Sequence, residues 1–271
     1  MLFFPNCKIN LGLKILRRRD DGFHDLETAF YPLPLKDVLE IVRTTDETRF
    51  SSYGNPIPGD PGSNLCLKAW DLLRNDFPTL PPIHIHLYKN IPIGAGLGGG
   101  SSDGASTLIV LNRQFQLGLT QQQLLDYAAR LGSDCPFFIL NKPCLGTGRG
   151  HLLQPLSLDL SGYSFALIDP GIHISTAQAF SLCTPCENNT PLATILSHPV
   201  SDWREALIND FEEPIFRLHP HLREIKDSLY DSGALYASLT GSGSSFFGIF
   251  TKDRAPLSNP FPDRYNYRIL R

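Results

Sequence analysis

The chain has 271 residues, a formal net charge of −3 and an isoelectric point near 6.2. This balance argues against a nucleic-acid-binding protein, whose basic surface would raise the isoelectric point well above that value. The start of the chain lacks the apolar segment of a secretory signal and no apolar run has the length of a membrane span, so we expect a cytoplasmic protein without a membrane partner. Six scattered cysteines form no recognisable disulfide framework, which fits a reducing compartment, and nothing indicates an obligate protein partner.

The first element is a strand with strict alternation. From Cys7 to Ile15 every second residue is apolar, and the residues between them include Lys8 and Asn10. A period of two is typical of a strand that buries one face. We therefore predict a half-buried strand whose polar face, with Lys8 beside Asn10, meets the solvent.

A turn at Asp21-Gly22 opens the second extended segment, which begins with Phe23 and His24 and ends near Tyr31. An aromatic residue after a turn either plugs a core or stacks on a planar ligand. The sequence alone slightly favours the core plug for Phe23.

Four further elements are predicted before the centre of the chain. They are a strand over 37–43, a surface loop over 51–63, a helix from a cap at Asn64 to about Phe77, and a strand over 83–89. His84 and His86 lie two residues apart on the last strand and could bind a metal. No third ligand is near them in the sequence, so an exposed strand face is favoured.

The stretch from Pro92 to Ser106 is the most informative part of the sequence. Five of the seven residues from Gly94 to Gly100 are glycine, which is more than a turn requires, and glycine lets a backbone approach a ligand closely. Apolar residues at helical spacing then predict a helix over 104–117. Backbone N–H groups and the positive end of the helix dipole converge at such a junction, which predicts a phosphate site.

Other phosphate-binding patterns fit this loop less well. A Walker A loop requires a lysine where this chain has Gly100, and the loop of a protein kinase lies between two strands. Gly94, Gly96 and Gly99 match a dinucleotide fingerprint, but a strand ending in an acidic residue should follow. The sequence instead predicts a helix from a cap at Thr120. A dinucleotide-binding oxidoreductase is therefore the weaker alternative.

The second half of the chain contains fewer motifs. Asp134 precedes a short element and, taken alone, favours a helix N-cap. A glycine-rich loop over 146–150 predicts a domain boundary that divides the chain into residues 1–152 and 153–271. The second domain is predicted to contain strands over 164–168, 236–239 and 246–251, a helix over 220–231, a long loop over 181–201 and a candidate anion-binding turn over 240–245.

Five blocks carry a resemblance that spans nearly the whole chain. They are PNCKINLGL (5–13), DGFHDLET (21–28), PIGAGLGGGSSDGAS (92–106), GSDCPFF (132–138) and LTGSGSSFF (239–247). Together they resemble the GHMP kinases, the superfamily of galactokinase, homoserine kinase and mevalonate kinase. Within it they are similar to the branch whose small-molecule substrate carries a cytidine diphosphate group. The resemblance implies ATP-dependent transfer of a phosphoryl group to a substrate hydroxyl, with Mg²⁺ as the accompanying metal.

The resemblance also implies roles for individual residues. Asp134 would take the proton of the substrate hydroxyl, and Lys8 would orient this carboxylate and keep it charged. The ATP phosphates would be held by Pro92, Gly94, Ala95, Gly96, Leu97, Gly98, Gly99, Gly100, Ser101 and Ser102. The substrate would be bound by Asn10, Phe23, His24, Phe180, Thr240 and Gly241. Phe23, where the family usually has Tyr, and Phe180 would sandwich the cytosine ring.

The metal ligands are not assigned by the resemblance. Ser101, Ser102 and Asp103 are near enough to hold Mg²⁺, while capping of the following helix explains them equally well.

The fold that the resemblance implies is α+β with two lobes. An N-terminal ATP-binding lobe would have the topology of domain 2 of ribosomal protein S5, and a C-terminal lobe would be ferredoxin-like. Residues 252–271 depart from the family because they form a short polar tail with three prolines, so we expect the last helix to be shortened or absent.

Two functional alternatives stay open. One is another kinase of this type that acts on a different small alcohol, and the other is a non-catalytic protein of this fold that binds a nucleotide or sugar. Lys8 and Asp134 count for an enzyme, while Phe23, His24 and Phe180 count for a cytidyl substrate.

Overall fold

The structure is a computed structural model that describes residues 1–185, 190–256, 259–262 and 264–271. Helices and strands are mixed along the chain, which confirms the predicted α+β class. The strands are β1 (Leu2–Phe3), β2 (Asn6–Arg18), β3 (His24–Lys36), β4 (Val38–Arg43), β5 (Arg49–Gly54), β6 (Ile83–Lys89), β7 (Cys144–Thr147), β8 (Leu152–Pro155), β9 (Tyr163–Asp169), β10 (Tyr236–Leu239), β11 (Phe246–Thr251) and β12 (Asn266–Leu270). The α-helices are α1 (Leu65–Asp76), α2 (Gly99–Gln114), α3 (Gln121–Leu131), α4 (Cys135–Leu140), α5 (Thr176–Leu182), α6 (Leu192–Leu196), α7 (Glu212–Leu218) and α8 (His221–Asp231).

The chain forms two compact units from interleaved segments. The first unit consists of residues 1–8, 32–93 and 98–142, and the second consists of residues 9–31, 94–97 and 143–271. The glycine-rich loop passes from the second unit to the first after Leu97. The boundary predicted after residue 152 stays a prediction, because compactness alone does not show which segments fold independently.

The first unit contains a sheet with strand order β1-β4-β6-β5. β6 matches the prediction over 83–89, and Ile83, Ile85 and Leu87 are buried on one face as the alternation requires. The prediction of a loop over 51–63 is wrong at its start, because β5 continues to Gly54 in parallel with β6. Its polar sequence gives no apolar pattern, so the strand is stabilised by pairing at the sheet edge.

Helix caps in the first unit follow the sequence closely. Asn64 caps α1 by accepting a hydrogen bond from the N–H of Cys66 at 2.8 Å, and Thr120 and Gln123 form the reciprocal capping box of α3. These two predictions are confirmed. α2 begins at Gly99 and not at residue 104, because tertiary packing of a buried helix outweighs the low helix propensity of glycine.

The polar face of β2 differs from the prediction. Lys8 is 3 % exposed, Asn10 is 2 % exposed and Lys14 is 4 % exposed, so this strand is buried on both faces along most of its length. The prediction that the polar face of β2 meets the solvent is therefore wrong. Burial of a lysine and an amide without partners would be costly, so both side chains require hydrogen-bond or charge partners.

A second sheet, β2-β3-β7-β8, is formed largely by the second unit, which also contains the antiparallel sheet β10-β11-β9-β12. β10 and β11 coincide with the predicted strands, and α8 matches the predicted helix. α5 and α7 are not predicted from the sequence. The long loop predicted over 181–201 is interrupted by α6, while its residues 186–189 lie outside the described residues.

The carboxyl-terminal segment contains a strand where a polar tail is predicted. β12 pairs with β9 in antiparallel register, from Asn266 opposite Asp169 to Leu270 opposite Phe165. The described residues between β11 and β12 contain no helix, which agrees with the expected loss of the last helix. Only the strand was missed, because its short apolar alternation follows a proline-rich stretch.

Candidate active site

Lys8 and Asp134 lie side by side in the first unit. The Lys8 Nζ atom is 3.3 Å from Asp134 Oδ2, and the exposed fractions of the two side chains are 4 % and 34 %. Asp134 occupies the N-cap position of α4, but its side chain makes no capping hydrogen bond. The carboxylate is therefore directed to the lysine, and its partial exposure leaves it accessible to a ligand.

The second half of the glycine-rich loop turns into α2 next to this pair. Gly98 has a φ of 71° at the N-cap position, and a Cβ there would lie 2.9 Å from Phe138 Cζ and 3.0 Å from Lys8 Cε. Both the left-handed backbone and the lack of space require glycine. Gly98 thus lets the start of α2 approach Lys8 closely.

Gly99, Gly100 and Ser101 form the first turn of α2, with Ser102 buried after them. The first N–H groups of a helix have no partner within the helix, and they carry the positive end of its dipole. A Cβ added at Gly100 would meet nothing within 4 Å, so open space lies beside this turn. The arrangement suits an anion such as a phosphate group.

A trio of buried charged residues, Lys89, Asp37 and Asp103, lies beneath the same turn. Lys89 Nζ donates to Asp103 Oδ2 at 2.7 Å and also to Asp37 Oδ2. Asp37 Oδ1 accepts from the N–H groups of Asn90 and Ile91 at 2.6 and 2.8 Å. The trio therefore ties the end of β6 to α2.

One ammonium group cannot neutralise two buried carboxylates. Burial raises the pKa of Asp103 to about 8, and the neighbouring Asp37 adds to the rise while Lys89 opposes it. Asp103 Oδ1 is buried without a hydrogen-bond partner among the described residues. Burial by itself would lower the pKa of Lys89, but the two carboxylates raise it.

Sequence reasoning missed this trio, although one signal was available. Lys89 follows the inward residues Ile83, Ile85 and Leu87 at the same spacing of two, so the alternation of the strand places it on the buried face. A lysine at such a position requires acidic partners.

The first half of the loop belongs to the second unit and is held by hydrogen bonds. Thr240 Oγ1 donates to the carbonyl oxygen of Gly96 at 3.2 Å, and the N–H of Ser245 donates to the carbonyl oxygen of Ala95 at 3.2 Å. Gly96 has a φ of 77°, and a Cβ there would lie 2.0 Å from the Thr240 carbonyl oxygen. The two backbones are therefore in direct contact.

Three of the predicted substrate-binding residues meet at the same place. The N–H of Asn10 donates to Thr240 Oγ1 at 3.1 Å, and Asn10 Nδ2 donates to Thr28 Oγ1 at 2.9 Å. A Cβ at Gly241 would be 3.5 Å from Asn10 Oδ1. Asn10, Thr240 and Gly241 thus form one buried polar cluster in the second unit.

The aromatic residues predicted to hold the cytosine ring all lie in the second unit. His24 stacks on Phe180 with ring centroids 4.8 Å apart and an interplanar angle of 15°. Phe23 is 53 % exposed, and the Arg149 guanidinium lies 4.7 Å from the centre of its ring. Phe23 is therefore not a core plug, and the structure pairs Phe180 with His24.

The described residues contain no group of three or more His, Cys, Asp or Glu side chains that could hold a metal ion. His84 and His86 have rings 3.9 Å apart, and Ser51 Oγ lies 2.9 Å from His84 Nε2. Ser101 and Asp103 lie inside α2 and not at its cap, so helix capping does not explain them. Asp103 is engaged with Lys89, whose Nζ donates to its Oδ2 at 2.7 Å.

None of the helices in the described part of the chain combines the length and the apolar character that a membrane span requires.

Comparisons with known proteins identify the family. Residues 64–142 match the model of the GHMP kinases N terminal domain, and residues 195–257 match that of the GHMP kinases C terminal domain. The chain is 50 % identical to a 4-diphosphocytidyl-2-C-methyl-D-erythritol kinase of Azobacteroides pseudotrichonymphae, with 95 % of this chain and 96 % of that protein covered. It is 51 % identical to a protein of the same name from Bacteroides thetaiotaomicron, with 92 % of each covered.

The solved structures agree with this result. A crystal structure of 4-(cytidine 5'-diphospho)-2C-methyl-D-erythritol kinase superposes with a TM-score of 0.81 at 32 % identity and covers 92 % of this chain and 90 % of its own. A homoserine kinase from Cytophaga hutchinsonii has a TM-score of 0.67 at 15 % identity over 98 % of this chain and 95 % of its own, which shows a shared fold. The chain belongs to the GHMP kinase family.

Proposed function

We propose that this protein is an ATP-dependent kinase that phosphorylates the C2 hydroxyl of 4-diphosphocytidyl-2-C-methyl-D-erythritol, a step of the non-mevalonate route to isoprenoid precursors. Relatives that bear this enzyme's name match the chain at 45–51 % identity over more than nine-tenths of its length. The observation that carries the chemistry is the Lys8–Asp134 pair, 3.3 Å apart and beside the glycine-rich start of α2.

Asp134 acts in this proposal as the general base. Its carboxylate takes the proton of the substrate hydroxyl as the hydroxyl oxygen attacks the terminal phosphorus of ATP, and the bond from that phosphorus to the bridging oxygen of ADP breaks. A positioned general base contributes typically about 10²- to 10⁴-fold to the rate. Lys8 fixes the orientation of the carboxylate and stabilises negative charge next to it.

The start of α2 holds the phosphates of ATP in this proposal. Backbone N–H groups of Gly99, Gly100 and Ser101 replace the lysine of a Walker A loop, and the helix dipole adds to their attraction. Gly94, Ala95, Gly96, Leu97 and Gly98 shape the approach to this turn.

Mg²⁺ is part of the proposal as an ion carried by ATP. It usually keeps several waters and binds to phosphates with one or two carboxylates, which fits a chain whose described residues form no metal cluster of their own. When bound, it would neutralise charge on the phosphates. The roles of Asp134, Lys8 and the start of α2 in this proposal do not depend on Mg²⁺.

The cytidyl group is assigned to residues of the second unit. His24 and Phe180 offer a stacked aromatic surface, Phe23 lies next to His24 in sequence, and the cluster of Asn10, Thr240 and Gly241 supplies polar groups. Stacking of a planar base on such rings gives affinity, and hydrogen bonds give specificity.

The test is consumption of ATP by wild-type protein and by Asp134→Asn. Wild-type protein should consume ATP with the diphosphocytidyl substrate and not with homoserine, galactose or mevalonate. Asp134→Asn should lower kcat by at least about 100-fold because it removes the base. Its melting temperature should stay close to that of the exposed control variant Asp126→Asn, which should keep wild-type turnover.

Two results would contradict the proposal. Turnover with another alcohol of the panel and none with the diphosphocytidyl substrate would assign the protein to a different kinase activity. Near-normal kcat in Asp134→Asn would remove this residue from the chemistry.

A further inference from the structure

Asn209, just before α7, is a buried side chain with no role in the steps described so far. It is 0 % exposed. Its Nδ2 donates to the carbonyl oxygens of Leu239 and Gly241, both at 2.9 Å, and its Oδ1 accepts from the N–H of Phe211 at 3.0 Å. Both amide protons and the amide oxygen are thus used.

The two carbonyl groups that Asn209 binds belong to the residues on either side of Thr240. Leu239 is the last residue of β10, and Gly241 begins the turn with a φ of 57°. One side chain therefore fixes the backbone just where the chain leaves the sheet and changes direction. The orientation of Thr240 depends on that backbone.

Thr240 in turn contacts the first half of the glycine-rich loop. Its hydroxyl accepts from the N–H of Asn10 at 3.1 Å and donates to the Gly96 carbonyl oxygen at 3.2 Å. Its own carbonyl oxygen lies against Gly96 so closely that a Cβ there would be 2.0 Å away. A displacement of Thr240 would therefore displace Gly96.

The backbone around Asn209 is itself fixed to β2, the strand that carries Asn10. The N–H of Leu13 donates to the carbonyl oxygen of Ile208 at 3.0 Å, and the N–H of Asp210 donates to the carbonyl oxygen of Leu13 at 2.8 Å. Asp210 Oδ2 also accepts from the N–H of Ile15 at 2.7 Å. Asn209 thus links the position of β2 to the turn at Thr240.

We propose that Asn209 is a positioning residue for the phosphate site, which acts by holding Thr240 against Gly96 and so fixes the segment Gly94–Leu97. This inference rests on the proposed use of ATP. Asn209 touches neither substrate nor ATP in this role. Its effect passes through Thr240, which makes the effect of changing both residues smaller than the product of the two single effects.

The experiment is a double-mutant cycle on ATP affinity with Asn209→Ala, Thr240→Val and the double variant. The dissociation constant of ATP is measured by titration calorimetry well below each melting temperature. Loss of one or two buried hydrogen bonds should weaken binding about tenfold in each single variant. The double variant should be weakened by about the same tenfold, against the ~100-fold expected for independent sites.

A stability control separates positioning from general loosening. Glu212 accepts from Ser238 Oγ and from the N–H of Leu239, both at 2.9 Å, and so supports the same strand end without a hydrogen bond to Thr240 among the described residues. Glu212→Gln should lower the melting temperature and leave the ATP dissociation constant unchanged. If Asn209→Ala fails to fold, Asn209→Ser, whose hydroxyl can donate to one of the two carbonyl groups, replaces it and should weaken ATP binding about threefold.

The outcomes distinguish the two proposals. Wild-type affinity in Asn209→Ala and in Asn209→Ser, multiplicative effects in the cycle, or equal weakening by Glu212→Gln would overturn the role of Asn209 and leave the proposed function intact. Failure of wild-type protein to bind ATP would overturn the proposed function, and this inference with it.

Discussion

The two halves of the glycine-rich loop are held by different chemistry. The first half, Gly94–Leu97, is fixed by neutral hydrogen bonds from Thr240 and Ser245, with Asn209 behind them. The second half, from Gly98 into α2, lies over the buried charges of Lys89, Asp37 and Asp103. The glycine-rich loop is thus supported by a neutral network at one end and by an ionic trio at the other.

This difference has a physical consequence. Asn209 uses all of its hydrogen-bonding groups and carries no charge, so its contribution to stability should not depend on pH near neutrality. The trio has two carboxylates for one ammonium, and Asp103 Oδ1 has no partner among the described residues. The contribution of the trio to stability therefore depends on whether one of its two carboxylates carries a proton.

Removal of the ammonium group should have the largest effect on folding. Lys89→Met leaves Asp37 and Asp103 buried together without a cation, and loss of one partner of a buried ion pair typically costs about 3–5 kcal/mol. The free energy of unfolding, measured with urea, should fall by that amount. Lys68→Met, which changes an exposed lysine on α1, should stay within about 0.5 kcal/mol of wild type.

A loss below about 1 kcal/mol in Lys89→Met would mean that the two carboxylates reorganise or share a proton without the lysine. The charged support of the loop would then be replaceable, and the contrast between the two halves would disappear.

The pH dependence of stability should be next in size. The pKa of Asp103 is raised from its ordinary value of 3.8 to about 8 in the folded protein, so between these values the folded state binds more protons than the unfolded state. The contribution of this group is fully present below pH 4 and is lost as pH rises through 8. The free energy of unfolding should therefore fall by up to about 1.4 kcal/mol from pH 7 to pH 8.

Asp103→Asn tests this assignment because the amide does not titrate. The difference in unfolding free energy between wild type and Asp103→Asn should change steadily from pH 5 to pH 8, whereas the difference between wild type and Thr240→Val should stay constant. Parallel curves for wild type and Asp103→Asn would show that Asp103 does not hold the proton.

The elements that sequence predicts well are those whose signals are local. The Asn64 cap, the capping box at Thr120 and the alternation of β6 are each determined by residues within a few positions, and each is confirmed. The start of α2 is not local. Five glycines and two serines near residue 99 have low helix propensity, and only tertiary packing makes Gly99 and Gly100 helical.

The candidate site is harder still to predict, because its contacts join residues that are distant in the sequence. Lys8 and Asp134 could be paired only by resemblance, since nothing in the spacing brings a residue of β2 next to the start of α4. The alternation of inward and outward residues along β6 would by itself have placed Lys89 on the buried face. Asn209 has no sequence signal of this kind, because its partners are carbonyl groups of a distant turn and any residue type supplies a carbonyl group.

The smallest effect on folding should come from the two adjacent glycines at the start of α2, and it separates the trio from the phosphate site. A Cβ at Gly100 would meet nothing within 4 Å, so Gly100→Ala should leave the unfolding free energy unchanged or raise it by about 0.5–1 kcal/mol through helix propensity. A Cβ at Gly99 would lie 3.0 Å from Ile91 Cγ2 and 3.2 Å from Lys89 Nζ, so Gly99→Ala should lower the unfolding free energy by about 1 kcal/mol or more.

The effect of Gly100→Ala on ATP binding should be larger than its effect on folding, because the proposal places the phosphates in the open space beside Gly100. ATP should bind Gly100→Ala about tenfold more weakly, a loss close to 1.4 kcal/mol. Unchanged affinity in Gly100→Ala would put the phosphates elsewhere on the loop.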